Sequence, residues 1–391
     1  MFKACCNRAP IIICLALLLF CGRANALSDV IEVAFIKQIR EYLPKLSNLD
    51  LRADDEGVLG LQQGVIDNNG TAIFIDQKFA SQAVILEPED DPLSAFQDLY
   101  ERGIRHFIVD IPAKHVLALA SAAVEDMAWF YNVGAADDAL RSSECLPNLF
   151  HINPSDSMKA DALAQFFVAK RWQDWFLVVG RRQADRNFAA AIRRSAKKFG
   201  AKIVAEKNWD YGPDARRTAQ ADVPVFTQGI DYDVLMVADS VGEFGEYLMY
   251  RTWQPRLVAG TQGLYATSWH HTHEVWGAAQ MQSRFGKRFN RRMTETEYGV
   301  WAAMRVIGEA ATRTQSVNNE KIAHYIESDQ FELAGYKGQK LTFRQWNGQL
   351  RQPVLLVWER SLVSVSPQAQ FLHQRSQLDT LGFDQPEVVC E

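Results

Sequence analysis

The sequence predicts an α/β protein of two lobes, each built on a parallel sheet. Three observations carry that reading. Strand and helix signals alternate at about 25–30 residues, the spacing of a βαβ unit. The alternation breaks at a loop over 134–154 and then restarts. Once an N-terminal leader is set aside, 365 residues remain, enough for two domains.

The leader is read from the first 26 residues. Lys3 and Arg8 give a positive start, 11–20 is an apolar run, and Ala24-Asn25-Ala26 is a small-x-small cleavage site. That order is a secretory signal cleaved before Leu27. The run is short of the ~20 apolar residues a membrane helix needs, and no later stretch approaches them. Lipid attachment at Cys21 is disfavoured because Phe20 stands where a small residue is needed.

In the first half, 30–36 reads as a strand, 54–67 as a helix, 83–86 as a short strand and 92–102 as a helix stopped by Gly103. The run 104–110 is a buried strand, 115–125 a helix and 127–132 a strand. After the loop, Ser155 or Asp156 caps a helix to about Arg171. Then come a strand at 175–180, a helix at 186–199 ended by Gly200, and strands at 202–208 and 233–238. A short helix at 242–250 and a strand at 254–260 follow. Helices at 274–288, 295–313 and 320–328 lead to a tail of different character. There 341–344, the Asn347-Gly348 turn, 353–358 and 362–365 read as antiparallel hairpin strands. The lobes are expected at 27–150 plus about 270–315, and at 151–269 plus about 316–365, with 366–391 as a C-terminal tail.

The mature chain carries 39 Lys and Arg against 47 Asp and Glu, a net of −8, which argues against a nucleic-acid partner. Cys5, Cys6, Cys14 and Cys21 leave with the leader. Cys145 and Cys390 remain, and two cysteines in an oxidising compartment suggest one disulfide, with two unpaired buried thiols as the alternative. Such a bridge stabilises by roughly 4–5 kcal/mol in the chain-entropy model.

In open α/β sheets ligands sit beyond the carboxyl ends of the strands, so two sheets facing each other make a cleft. This layout resembles the type I periplasmic binding proteins, in the branched-chain amino-acid receptor branch. A closer resemblance is carried by Leu46-Ser47-Asn48-Leu49, Asp67-Asn68-Asn69, the run from Asn132-Val133-Gly134 to Arg141, Tyr247-Leu248-Met249-Tyr250-Arg251-Thr252-Trp253, the run from Lys337-Gly338 to Arg344, Arg351-Gln352-Pro353 and the run from Leu378-Asp379 to Asp384. On these the chain resembles a subfamily of ABC-transporter substrate-binding proteins associated with pyrroloquinoline quinone (PQQ)-dependent alcohol oxidation. The resemblance implies two Rossmann-like lobes joined by several chain crossings, a periplasmic location, an inner-membrane permease as partner, a monomer, and no enzymatic activity. Cys145 and Cys390 are similar to family positions. The chain departs from amino-acid receptors in lacking a Ser-Gly pair after the first strand and a hydroxyl residue in Asp110-Ile111-Pro112-Ala113-Lys114. A plain aliphatic amino acid is therefore a poor candidate ligand.

Candidate ligand contacts are the cations after strands or in the inter-lobe loop, Lys114, Arg141, Arg181 and Arg182, with Trp129, Tyr265 and Trp269 as aromatic faces. PQQ is a flat tricarboxylate, and such a ligand needs guanidinium partners and a ring to stack on. Singly, each cation reads as solvated and each ring as core. No cofactor is required, with PQQ as a possible ligand. His270, His271, His273 and Glu274 are dense but lack a full metal-ligand set, so no metal is expected. Asp137 and Asp138 read as a loop cap or hinge contact rather than catalytic carboxylates. No nucleophile elbow or phosphate loop is present. The alternatives are an accessory protein holding a cofactor for a dehydrogenase, and a metal-dependent enzyme on the His270 cluster.

Overall fold

The computed structural model describes residues 30–40, 53, 55–125, 127–210 and 215–390. The leader at 1–26 and the Leu46–Leu49 motif lie outside them. In chain order the elements are β1 (Val30–Gln38), α1 (Val58–Ala72), β2 (Lys78–Leu86), α2 (Pro92–Glu101), β3 (His106–Asp110), α3 (Ala113–Ala122), β4 (Trp129–Asn132), α4 (Ala139–Ser142) and β5 (Leu149–His151). The second run is α5 (Asp156–Ala169), β6 (Asp174–Val179), α6 (Gln183–Phe199), β7 (Lys202–Asn208), α7 (Ala215–Thr227), β8 (Val234–Ala238), α8 (Gly245–Leu248), β9 (Leu257–Gly260) and β10 (Leu264–Thr267). The last is α9 (Ala278–Phe289), α10 (Glu295–Thr314), α11 (Asn319–Glu327), β11 (Leu333–Ala334), β12 (Lys340–Phe343), β13 (Leu350–Arg351), β14 (Val354–Trp358) and β15 (Ser361–Ser366).

Two sheets define two lobes. The first has the order β2-β1-β3-β4-β5 and is parallel throughout. The second is β15-β14-β10-β9-β8-β6-β7, parallel from β10 to β7 and antiparallel at the β14–β15 edge. Each sheet is covered on both faces, which is why its strands read as continuous apolar runs. Side chains alternate across a strand. Thus Ile31, Val33 and Phe35 of β1 enter one core while Ala34 and Ile36 enter another. In the second lobe Trp175, Leu177 and Val179 of β6 face one core and Phe176 and Val178 the other.

The structure departs from the sequence reading at several points, among them helix α4 and strand β5 inside the stretch read as a loop, and at one it decides between two readings. Strand β10 and helix α7 were not expected. Helix α7 holds Pro224 in its interior, a residue that normally argues against a helix. Helix α11 and strands β11–β13 belong to the first lobe, not the second: Ile322, Ala323, Ile326, Leu333, Leu341, Phe343 and Leu350 join its core. The C-terminal tail after β15 packs on the second lobe, with Leu381 buried in its core. Finally, α5 is capped by Ser155, whose hydroxyl accepts from the Met158 N–H at 3.1 Å, which settles the choice between Ser155 and Asp156.

Candidate functional site

Among the described residues three chain crossings join the lobes: β5 to α5, β10 to α9, and β13 to β14. Polar side chains bind the crossings to one another. Ser268 Oγ of the second meets Asn153 Oδ1 of the first at 3.3 Å. Gln352 of the third donates to the Ile152 carbonyl of the first. Gln349 donates to the carbonyls of His151 and Asn153, both at 3.2 Å. Lys337 Nζ donates to Gln352 Oε1 at 2.7 Å and to the Pro353 carbonyl at 3.0 Å. Lys337 is buried, and that burial pushes its ammonium down to about 7, with Glu295 opposing the shift.

The carboxyl ends of the two sheets meet beside this hinge. The loop after β4 bonds to the N-terminal ends of α5 and α6. Asp138 accepts from the Ser157 N–H at 3.0 Å and the Ser157 hydroxyl at 2.6 Å, and Asn187 donates to Asp137 at 3.0 Å. Asp137 and Asp138 therefore act as contacts between the lobes.

On the first lobe's side, Arg40 follows β1 and pairs with Asp110, the last residue of β3, at 2.7 Å. The pair lies against Gly134, where an added Cβ would sit 2.1 Å from Asp110 Oδ1 and 2.6 Å from Arg40 Nη2. Only a residue without a side chain permits that approach. On the second lobe's side two buried aspartates shape the loops. Asp239 accepts from the N–H groups of Gly242, Glu243, Phe244 and Gly245 at 2.8–3.1 Å. Asp185 accepts from the N–H of Arg182 at 2.9 Å and from Ser240 N–H and Oγ at 2.6 Å, tying the β6 and β8 ends together. On this scaffold Arg181 lies 4.0 Å from Glu243, and Arg182 is exposed beside it. Both walls therefore carry guanidinium and carboxylate groups, chemistry suited to a charged solute.

The residues singled out from sequence separate into two groups. Arg181, Arg182 and Lys114 stand exposed beyond strand ends, Lys114 in the first turn of α3. Arg141 is buried and donates to Gln349 Oε1 at 2.7 Å, the Asp137 carbonyl at 2.9 Å and the Ala135 carbonyl at 3.1 Å. Burial lowers it to about 10, with Asp138, Asp156 and Asp137 opposing, so it remains a cation. Trp129 opens β4 and lies at the amino end of the sheet, its ring 5.7 Å from His106. Trp269 is core, stacked on Tyr298 at 4.5 Å. Tyr265 sits in β10, edge-on to His270 at 6.5 Å. Arg40, Asp110, Asp185, Asp239 and Glu243 were missed. Their signal was position alone, at the end of an apolar run for Asp110, just past one for Arg40 and Asp239, and within six positions of one for Asp185 and Glu243.

The histidines take separate hydrogen-bond partners, although the His270 and His271 rings lie 4.2 Å apart. His270 Nδ1 meets Thr272 Oγ1 at 2.7 Å, His271 Nε2 meets Arg292 at 2.9 Å, and His273 Nε2 meets the Tyr336 carbonyl at 2.8 Å. Among the described residues no three His, Cys, Asp or Glu side chains are grouped to hold a metal. Cys145 and Cys390 face each other with Cα atoms 5.4 Å apart, within the range a disulfide spans.

Solved structures share this architecture. A branched-chain amino-acid ABC transporter periplasmic ligand-binding protein from Burkholderia xenovorans superposes with TM-score 0.73 at 16% identity, over 92% of this chain and 99% of that one. An ABC transporter substrate-binding protein from Desulfitobacterium hafniense, in complex with Leu, gives 0.67 at 15%, over 86% and 99%. A solute-binding protein of an ABC transporter from Rhodopseudomonas palustris, in complex with 3,4-dihydroxybenzoic acid, gives 0.60 at 12%, over 86% and 95%. At these identities the likeness is one of fold. No curated protein matches by sequence. The family model described as periplasmic binding protein matches residues 88–358, more than half of the chain. The two lobes, their crossings and that match together place the chain in the periplasmic binding protein family, whose members are solute receptors and not enzymes.

Proposed function

We propose that this protein is the periplasmic receptor of an ABC-type importer, closing its two lobes on a small anionic or aromatic solute and presenting it to an inner-membrane permease. PQQ, or an acid produced by PQQ-dependent alcohol oxidation, is the ligand we favour. The observation that carries the reading is the pairing of Arg40 with Asp110 on one wall and the placement of Arg181, Arg182 and Glu243 on the other. Guanidinium groups bind carboxylates bidentately, and one group from each lobe gives closure a differential contact with the solute. The 3,4-dihydroxybenzoate complex of the R. palustris protein supports an aromatic acid as a ligand type for this fold.

The test is a titration of the purified mature chain, from Leu27, with PQQ, 3,4-dihydroxybenzoate and leucine, followed by tryptophan fluorescence and calorimetry. Saturable binding of an aromatic acid or PQQ supports the assignment. Tight binding of leucine with neither acid bound overturns the ligand class.

A further inference from the structure

The segment after β15 is fastened to both lobes. On the second lobe, Gln368 N–H donates to Gln165 Oε1 at 2.9 Å, and Leu381 is buried in the core. Gly382 N–H donates to the buried Asp161 at 2.8 Å, and Lys198 Nζ donates to the carbonyls of Thr380 at 2.8 Å and Gly382 at 3.0 Å. Arg194 holds Glu387 at 2.7 Å. On the first lobe, Arg344 at the end of β12 donates to Asp379 at 2.9 Å, to the Leu378 carbonyl at 3.1 Å and to the Leu381 carbonyl at 2.7 Å. Val389 N–H donates to the Ser142 carbonyl at 2.8 Å, and Cys390 faces Cys145 in the loop before β5.

We propose that the tail is a fourth link between the lobes, locked by a Cys145–Cys390 disulfide, and that it limits how far they open. This inference rests on the lobes moving against each other, as a receptor requires, and on nothing about the ligand. Three crossings lie side by side at the hinge and permit rotation about the line through them. The strap adds a tether from α6 to the loop before β5. Between Glu387, held by Arg194, and Cys390, held by Cys145, lie two residues, and the three Cα-to-Cα steps span at most roughly 11 Å when extended. Opening beyond that slack must break the Arg194–Glu387 pair or the disulfide. Forming the bond removes two protons and two electrons from the two thiols. A small disulfide such as oxidised glutathione takes them and leaves as two thiols.

The test compares the mature chain oxidised with glutathione disulfide against a Cys145→Ser/Cys390→Ser variant, both without ligand. Spin labels on encoded keto residues at exposed Glu101 and Lys202, one per lobe, report the inter-lobe distance by pulsed electron resonance. The oxidised chain should give one narrow distribution, and the variant a broader one displaced to longer distance. Superposable distributions, or two titratable thiols persisting in the oxidised chain, overturn the proposal. Where circular dichroism shows the double variant unfolded, Glu387→Ala with the bond intact carries the test: broadening supports the strap and an unchanged distribution overturns it. Because no ligand enters, either outcome is independent of the titrations that test the solute assignment.

Discussion

Lys337 Nζ lies 2.7 Å from Gln352 Oε1, so a buried ammonium from the first lobe holds the third crossing in place. The same ammonium lies 5.1 Å from the centre of the Tyr298 ring, a cation–π contact that offsets part of the lost hydration. Burial lowers it from the usual lysine range to about 7. The hinge therefore contains a cation that folding disfavours.

Stability should consequently rise with pH between about 7 and the ordinary lysine range near 10.5. In that window the unfolded chain binds more protons than the folded one, and below it the penalty is full and constant. The slope from this residue is at most about 1.4 kcal/mol per pH unit. Denaturant unfolding of wild type and Lys337→Met at pH 6 and pH 9 isolates it, because groups common to both chains cancel. Wild type should gain on the variant at pH 9. An equal gap at both values would show that the ammonium is not the group responsible.

Asp379 accepts from Arg344 at 2.9 Å and from Arg351 at 2.8 Å, and Arg344 is itself buried. Asp379→Ala strands two guanidiniums, one without access to water. Breaking a buried pair from one side costs about 3–5 kcal/mol. A loss of that size in urea is expected for Asp379→Ala. Replacing Arg344, Arg351 and Asp379 together with apolar residues should cost less than the sum of the single changes.

Much of the fold was legible because burial on both faces of a parallel sheet leaves apolar runs at βαβ spacing, as in 104–110 and 175–180. Helix α7 was hidden by Pro224, and β10 by a tight turn at Gly263, which leaves too few residues to show a period. The lobe boundary was drawn elsewhere because the apolar stripe of α11, Ile322, Ala323 and Ile326, shows that the helix packs on a core but not on which one, and only long-range packing decides. The site was less legible for a physical reason. Arg141 and Arg182 look alike in sequence. One is buried by Gln349, some two hundred positions away, and the other is left at a strand end.

Gly134→Ala should disturb the first wall of the cleft. The new Cβ would fall 2.1 Å from Asp110 Oδ1, so the Arg40–Asp110 pair must move. Overpacking of this kind costs about 1–3 kcal/mol. Thermal unfolding should register that cost, and calorimetry should show weaker binding of whichever acid binds the wild type. Unaltered affinity would remove Arg40 and Asp110 from the site.

Loss of the Cys145–Cys390 bond should lower stability by up to roughly 5 kcal/mol in the chain-entropy model, since the two cysteines are 245 positions apart. Unfolding of the oxidised chain with and without a phosphine reductant measures it. Indistinguishable curves would mean that the two thiols were never joined.

Arg141→Ala and Arg182→Ala should separate the hinge from the site. Arg141 satisfies Gln349 Oε1 and the carbonyls of Asp137 and Ala135 at a point where both lobes meet. Its loss takes the arginine donor from Gln349 Oε1 and the Asp137 carbonyl, while the Ala135 carbonyl keeps Asn132, at about 1–3 kcal/mol for each group left unsatisfied, and should appear chiefly as lost stability. Arg182 is exposed, and a surface substitution normally stays within about 0.5 kcal/mol. Its loss should appear instead as weaker binding of an anionic solute with the unfolding curve unmoved. The reverse pattern, a stable Arg141→Ala chain that no longer binds, would return Arg141 to the cleft and require the lobes to rearrange when the solute enters.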